Sequence, residues 1–319
     1  MIQEPGVLVG ETSTVSDLAG AMTDSFASVD VSSWRAAGVE QLGTKPKQWL
    51  RDDRDRLWLW KAATTNVSAA GRYPKGDDWA ERVVTEIARS LGVPVAMTEL
   101  AMREGQPGTV SLSVVDPDSE SLVHGNELLA ELGVVGIDPH DRAGYTVEAV
   151  EQVLSGLDGG LDGLSAFHCF AGYLMLDALV GNTDRHQENW AVIADSGGNR
   201  RLAPSFDHAS SLGFLLDDRR VEMLTSRDRN QLPEAWADRA RTRFERHPHP
   251  IEVARSADAL LGHGIVVPWR PRIELLNFER IVARVPVDRM SSPAREFAIR
   301  VAEANRRRIL SYPPPTMST

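Results

Sequence analysis

Twelve residues constrain this chain more than any others: Leu179-Val180-Gly181-Asn182-Thr183-Asp184-Arg185-His186-Gln187-Glu188-Asn189-Trp190. An apolar helical run ends at Gly181, eight polar residues follow, and a short apolar strand begins at Trp190. Asp184 and Asn189 stand five apart. At that interval a carboxylate can orient or accept the proton of an attacking hydroxyl, while an amide oxygen one short loop away holds a metal on a phosphoryl group. Such chemistry needs a second acid. Asp207 supplies it after Leu202-Ala203-Pro204-Ser205-Phe206, and small residues suited to a tight loop, Ala209-Ser210-Ser211, follow closely. Magnesium takes hard oxygen ligands and keeps several waters, so one Asp, one Asn and nucleotide phosphates suffice. A solvated turn accounts for Asp-x-x-x-x-Asn alone, but not for this order of helix, acid, amide, strand and second acid.

Around this stretch the chain divides in two. Residues 1–35 read as an N-terminal arm or tail with a weak helical pattern from Asp17 to Phe26. Two aromatic-rich runs, Val39 to Leu50 and Leu57 to Ala62, flank the charged hexapeptide Arg51 to Arg56 and predict a β-hairpin with a solvated turn. Asp77-Asp78 opens a helix with Trp79, Val83, Val84, Ile87 and Leu91 on one face, stopped by Gly92 and Pro94. Strands are expected over Val95 to Met102 and Val110 to Val115, then a turn at Asp116-Pro117-Asp118. Beyond, the pattern predicts helices over Gly125 to Leu132, Thr146 to Leu157 and Leu161 to Val180, strands at Trp190 to Ala194 and Arg201 to Pro204, and helical texture over 217–310. The expected division is 36–118, rich in strands, 119–312, mostly helical, and a tail over 313–319.

The order and spacing of these motifs resemble the HipA-like serine/threonine kinases. Gly181 to Asn189 resembles that family's Asn-x-Asp-x-His-x-x-Asn, and Leu202-Ala203-Pro204-Ser205-Phe206-Asp207 its Leu-Ala-Pro-x-Tyr-Asp with Phe206 for Tyr. The loop is also similar to the Asp-Arg-His-x-x-Asn of phosphatidylinositol 3- and 4-kinases. The resemblance implies an α+β, bilobal protein-kinase-like fold, with a strand-rich N-lobe, a helical C-lobe and ATP in the cleft. It implies Asp184 as catalytic base, Asn189 and Asp207 as ligands of Mg2+, and His186 as a loop-shaping imidazole in preference to a proton carrier. Lys61 falls where the family's phosphate-contacting lysine lies, with Glu81 as its ion-pair partner. Glu86 is the rival, but the two point about 140° apart around a helix, so only one faces the nucleotide. Gly43, Thr44, Lys45 and Lys47 match the phosphate-covering loop, and Val114, Val115 and Asp116 the segment beside the adenine. The first 35 residues are too few for the additional N-terminal subdomain of HipA, which implies a shorter, stand-alone branch.

Composition supports parts of this reading. Of 35 Lys and Arg residues only Lys45, Lys47, Lys61 and Lys75 are lysine, all within the expected N-lobe, and a compact ammonium suits phosphate where a guanidinium fork is too wide. A net charge of -10 argues against nucleic-acid binding. With no span of about 20 apolar residues, no basic start and one cysteine, Cys169, the expectation is a cytoplasmic protein without a membrane span. A protein with a serine or threonine acceptor is the favoured substrate. A small-molecule or lipid kinase and a catalytically silent nucleotide-binding module are the alternatives.

Overall fold

Large apolar residues alternating with polar ones build the first lobe. The computed structural model describes residues 25–40, 47–68, 71–134, 142–161, 163–225, 232–262 and 268–311. In chain order this lobe holds β1 (Ser28–Asp30), β2 (Arg35–Glu40), β3 (Lys47–Arg51), β4 (Leu57–Ala62), the small hairpin β5 (Thr65–Ser68) and β6 (Gly71–Pro74), α1 (Asp77–Leu91), β7 (Thr98–Arg103) and β8 (Gln106–Leu112). Six strands form one sheet in the order β1-β7-β8-β4-β3-β2, with β1 parallel to β7 and the other neighbours antiparallel.

The expected hairpin is β3 and β4, paired Leu50 to Trp58 and Lys47 to Lys61. Its turn is not wholly solvated: the buried Asp52 carboxylate accepts from Trp58 Nε1 at 3.1 Å and from the backbone N–H groups of Arg54 and Arg56. Successive strand residues face opposite ways. Trp58 and Trp60 therefore enter a core with Val31, Leu50, Ala101 and Val110, and Lys61 emerges on the other face. The next hairpin is tighter than its apolar runs suggest, its first strand starting later than Val95 and its second earlier than Val110, because Glu104 and Gly105 at φ 51° and 79° make the reversal. Gln106-Pro107-Gly108 then joins β8 despite its turn-like composition.

Helix α1 matches its expected limits and ends at Gly92 in the left-handed region, φ 72°. Val83, Val84, Ile87 and Leu91 are fully buried and share one continuous core with the second lobe. The described end of the N-terminal arm docks behind this helix. Phe26 is buried, its N–H donates to Arg284 O at 2.6 Å, and its ring lies between the guanidinium carbons of Arg82 and Arg284 at 3.9 and 4.4 Å.

The second lobe contains β9 (Glu120–His124), α2 (Gly125–Glu131), α3 (Val147–Leu154), β10 (Asp158–Leu161), β11 (Leu164–Ser165), α4 (Ala166–Val180), a 3-10 turn at Gln187–Asn189, β12 (Ala191–Asp195) and β13 (Arg200–Leu202). There follow α5 (Asp218–Thr225), α6 (Pro233–Ala237), α7 (Pro250–Leu260), α8 (Arg270–Leu275), α9 (Phe278–Ala283) and α10 (Ser292–Leu310). The strands form a sheet in the order β11-β10-β13-β12-β9. The helix expected from Leu161 starts only at Ala166, where the Ser165 hydroxyl caps the His168 N–H; the glycine-rich residues before it form strands. Helix α4 is apolar on every side and buried along nearly its whole length, making it the central column. The lobes are stitched by a bridge between Val95 and Ser205. Among the described residues no helix is long and apolar enough to cross a membrane.

Candidate active site

Helix α4 ends at Gly181, which adopts the left-handed conformation at φ 68°. From there the polar loop is held from beneath by Arg185, a fully buried side chain. Its Nε and one terminal nitrogen grip both oxygens of Asp177 at 2.8 Å each, and the remaining donors reach Asn189 O at 2.6 Å, Phe206 O at 3.2 Å and Ser205 Oγ at 3.0 Å. Only a planar fork with five donors ties a helix, a loop and a strand end together in this way. Asn182 adds a second hold, donating to Asp177 Oδ1 at 2.8 Å and accepting from the Asp184 N–H at 3.0 Å.

On this base stand the predicted residues. Asp184 accepts from Arg243 Nε at 2.6 Å, with Ser210 Oγ at 3.5 Å from its other oxygen. Asn189 donates its amide N–H to Asp184 O at 2.7 Å, which commits the nitrogen end and leaves the amide oxygen as acceptor. His186 accepts the Glu188 N–H at 3.2 Å. Burial lowers its pKa against the opposing charges of Asp184, Glu188 and Asp207, which favours the neutral imidazole.

Asp207 takes φ 59°, a left-handed backbone uncommon outside glycine and one that costs energy to hold. Its carboxylate lies 3.2 Å from Lys61 Nζ and 3.7 Å from Lys47 Nζ. The two lysines are directly opposite on β3 and β4. Like charges so placed repel unless an anion lies between them, and Asp207 is that anion. Burial acts to lower the Lys61 pKa, but the charges of Asp207 and Glu81 outweigh it and hold the ammonium charged.

Glu81 on α1 influences Lys61 by charge, while its oxygens are engaged by His208: the His208 N–H donates to Oε2 at 2.7 Å and its Nδ1 lies 3.3 Å from Oε1. His208 Nε2 meets Ser205 Oγ at 2.8 Å. A buried polar chain thus runs Glu81, His208, Ser205, Arg185, Asp177 from one lobe into the other. Glu86 faces elsewhere, pairing with Arg82 at 2.9 Å and Arg284 at 2.7 Å.

Gly43, Thr44 and Lys45 lie outside the described residues. Val114 and Val115 pack with Leu122, Ala191, Ile193, Ala203 and Phe206, an apolar patch that leads directly to Asp207. The Asp116 carboxylate is used by its own turn, accepting from Asp118 N at 3.0 Å and Ser119 Oγ at 2.9 Å. Among the described residues there is no cluster of three or more His, Cys, Asp or Glu able to cage a metal. The Asp207 carboxylate and Asn189 amide oxygen nevertheless suit a hard cation that takes its other ligands from phosphates and water.

Sequence reasoning missed Arg185, Asp177, Ser205, His208 and Arg243. Asp177 had a signal: it is the one charged residue in an otherwise apolar helix, and such an acid needs a buried partner. Arg243, 59 residues beyond Asp184, had none.

No curated protein sequence matches this chain. Among solved structures, the Helicobacter pylori proinflammatory kinase CtkA superposes with a TM-score of 0.66 at 18% identity, covering 90% of this chain and 100% of its own. HipA of Shewanella oneidensis MR-1, solved with HipB and operator DNA, matches at 13% identity and a TM-score of 0.45 over 96% of this chain and 73% of its own. The first likeness establishes a kinase fold. The family described as the HipA-like C-terminal domain matches residues 39–262, well over half the sequence. The chain belongs to that HipA-like family.

Proposed function

We propose that the protein is an ATP- and magnesium-dependent kinase that transfers the γ-phosphoryl group to a serine or threonine hydroxyl of another protein. One observation carries the reading: Lys47 and Lys61 from the first lobe converge on Asp207 of the second, beside the loop that holds Asp184 and Asn189. Lys61 and Lys47 bind the phosphate oxygens, and the apolar patch around Val114 and Val115 receives the adenine. Asp207 and Asn189 hold magnesium, which when bound supplies charge neutralisation to the phosphates. Asp184 aligns the acceptor hydroxyl and takes its proton as the new bond forms. His186 fixes the loop, and Glu81, through His208, fixes the segment that carries Asp207. The expected compartment is the cytoplasm.

Incubation of the pure protein with γ-labelled ATP, magnesium and cell lysate tests the reading. Label in protein, stable to mild alkali as phosphothreonine or recovered as phosphoserine after acid hydrolysis, is expected. Label in a lipid or metabolite alone replaces the protein acceptor with a small one. No label in any fraction contradicts the proposal.

A further inference from the structure

We propose that the segment Arg239 to His247 is the acceptor-docking element, and that it selects a protein segment bearing carboxylates next to the hydroxyl residue. This rests on the phosphotransferase reading above. The chain as a whole carries a net charge of -10, yet Arg239, Arg241, Arg243 and Arg246 fall within this segment with Glu245 as its one acid. All four arginines are exposed, whereas Thr242 and Phe244 between them are buried.

The inward residues fix the segment to the catalytic loop. Phe244 stacks on Tyr145 at 4.3 Å between ring centroids, and Tyr145 OH donates to Arg185 O at 3.2 Å. Thr242 and Glu245 donate backbone N–H groups to Pro248 O and Tyr145 O at 3.0 and 2.9 Å. The segment that carries the outward arginines is therefore held to the catalytic loop, and one of them, Arg243, reaches Asp184.

Arg243 makes the connection chemically. Its Nε–H is committed to Asp184 at 2.6 Å, and its terminal nitrogens have no carboxylate partner among the described residues. A guanidinium offers two edges to anions. One edge holds Asp184, and the other remains for a carboxylate of the acceptor, which brings the neighbouring hydroxyl to Asp184. Among the described residues Arg241 bonds the backbone carbonyls of Asp238, just before the segment, and of Ala240 within it, and pairs with no carboxylate.

Fluorescence anisotropy on the full chain with magnesium and a non-hydrolysable ATP analogue tests this directly. The probe is a labelled serine peptide flanked by Asp and Glu, compared with its Asn and Gln twin. The acidic peptide is expected to bind about tenfold tighter at low salt, with the preference fading at about 0.5 M salt. The double variant Arg241→Glu, Arg246→Glu should lose that preference while retaining nucleotide affinity, which also reports that it is folded. Equal binding of the two peptides, tighter binding of a DNA oligonucleotide than of the acidic peptide, or an undiminished preference in the double variant overturns the proposal. If the acidic peptide binds selectively but its serine receives no phosphate from ATP, the docking assignment stands and the phosphotransferase reading falls.

Discussion

Asp207 touches two ammonium groups and Asp184 a guanidinium, so neutralising each aspartate should have a different consequence. Asp207→Asn removes charge from the proposed magnesium shell and is expected to weaken magnesium-ATP binding together with transfer. Asp184→Asn is expected to keep nucleotide affinity near wild type and lower turnover by about 10²- to 10⁴-fold. Calorimetry beside steady-state kinetics separates the two, and equal loss of ATP binding in both would make the pair structural. Lys61 sits in a space shared with Lys47 and Asp207, where a guanidinium displaces one partner, so Lys61→Arg should lose nearly as much activity as Lys61→Ala in the same assay. Beneath them, Asp177→Asn leaves the Arg185 guanidinium buried without its counter-charge. Urea unfolding should register a loss of about 3–5 kcal/mol. Asp184, Asn189 and Asp207 could be picked out as candidates in the sequence because groups proposed to react must be of particular types at short, fixed intervals. The residues that hold them were not, since Arg185, Ser205 and His208 meet Asp177 and Glu81 only when distant segments fold together.

Elements were legible where a local period and a local stop agreed. Helix α1 has both, an apolar face and Gly92, and its expected limits match. The onset of α4 was missed because apolarity continues through Leu161 and Leu164, whereas the N-terminus is set by a single hydroxyl, Ser165. The arm shows the same limit: nothing local in Phe26 announces that two arginines from separate elements will enclose it. Arg289 is one of the pins between α1 and the rest of the fold. It donates to Asp78 Oδ2 at 2.7 Å, Ser28 Oγ at 2.9 Å and Ala101 O at 2.7 Å, almost fully buried. Burial raises the Asp78 pKa, and Arg289 opposes it. Arg289→Met should therefore cost about 3–5 kcal/mol at neutral pH. With its cation gone, the Asp78 carboxyl has a still higher folded pKa, so the penalty is full above that value and narrows as pH falls from there to the wild-type folded pKa, itself above the ordinary carboxylate value. Thermal melts of wild type and variant taken downward from about pH 7 should draw closer without meeting, because the bonds to Ser28 and Ala101 are lost at every pH; a constant gap would mean that Asp78 does not sense Arg289.

At the scale of the molecule, two lobes share one hydrophobic core and one buried polar chain from Glu81 to Asp177. The change of texture from strands to helices made a strand-rich first part and a mostly helical second part readable in the sequence. Their joint was not readable, because the Val95 to Ser205 bridge and the contacts of Lys61 with Asp207 span more than a hundred residues. That joint gives the proposed reaction its geometry: cations from one lobe and acids from the other come together only when both are folded and seated. The central claim is that this meeting point is a magnesium-nucleotide site, and calorimetric titration of ATP with magnesium and then with a chelator tests it most directly. The account predicts one-to-one binding that is firm with magnesium and much weaker without it; equal affinity in the two conditions, or no binding in either, would contradict it.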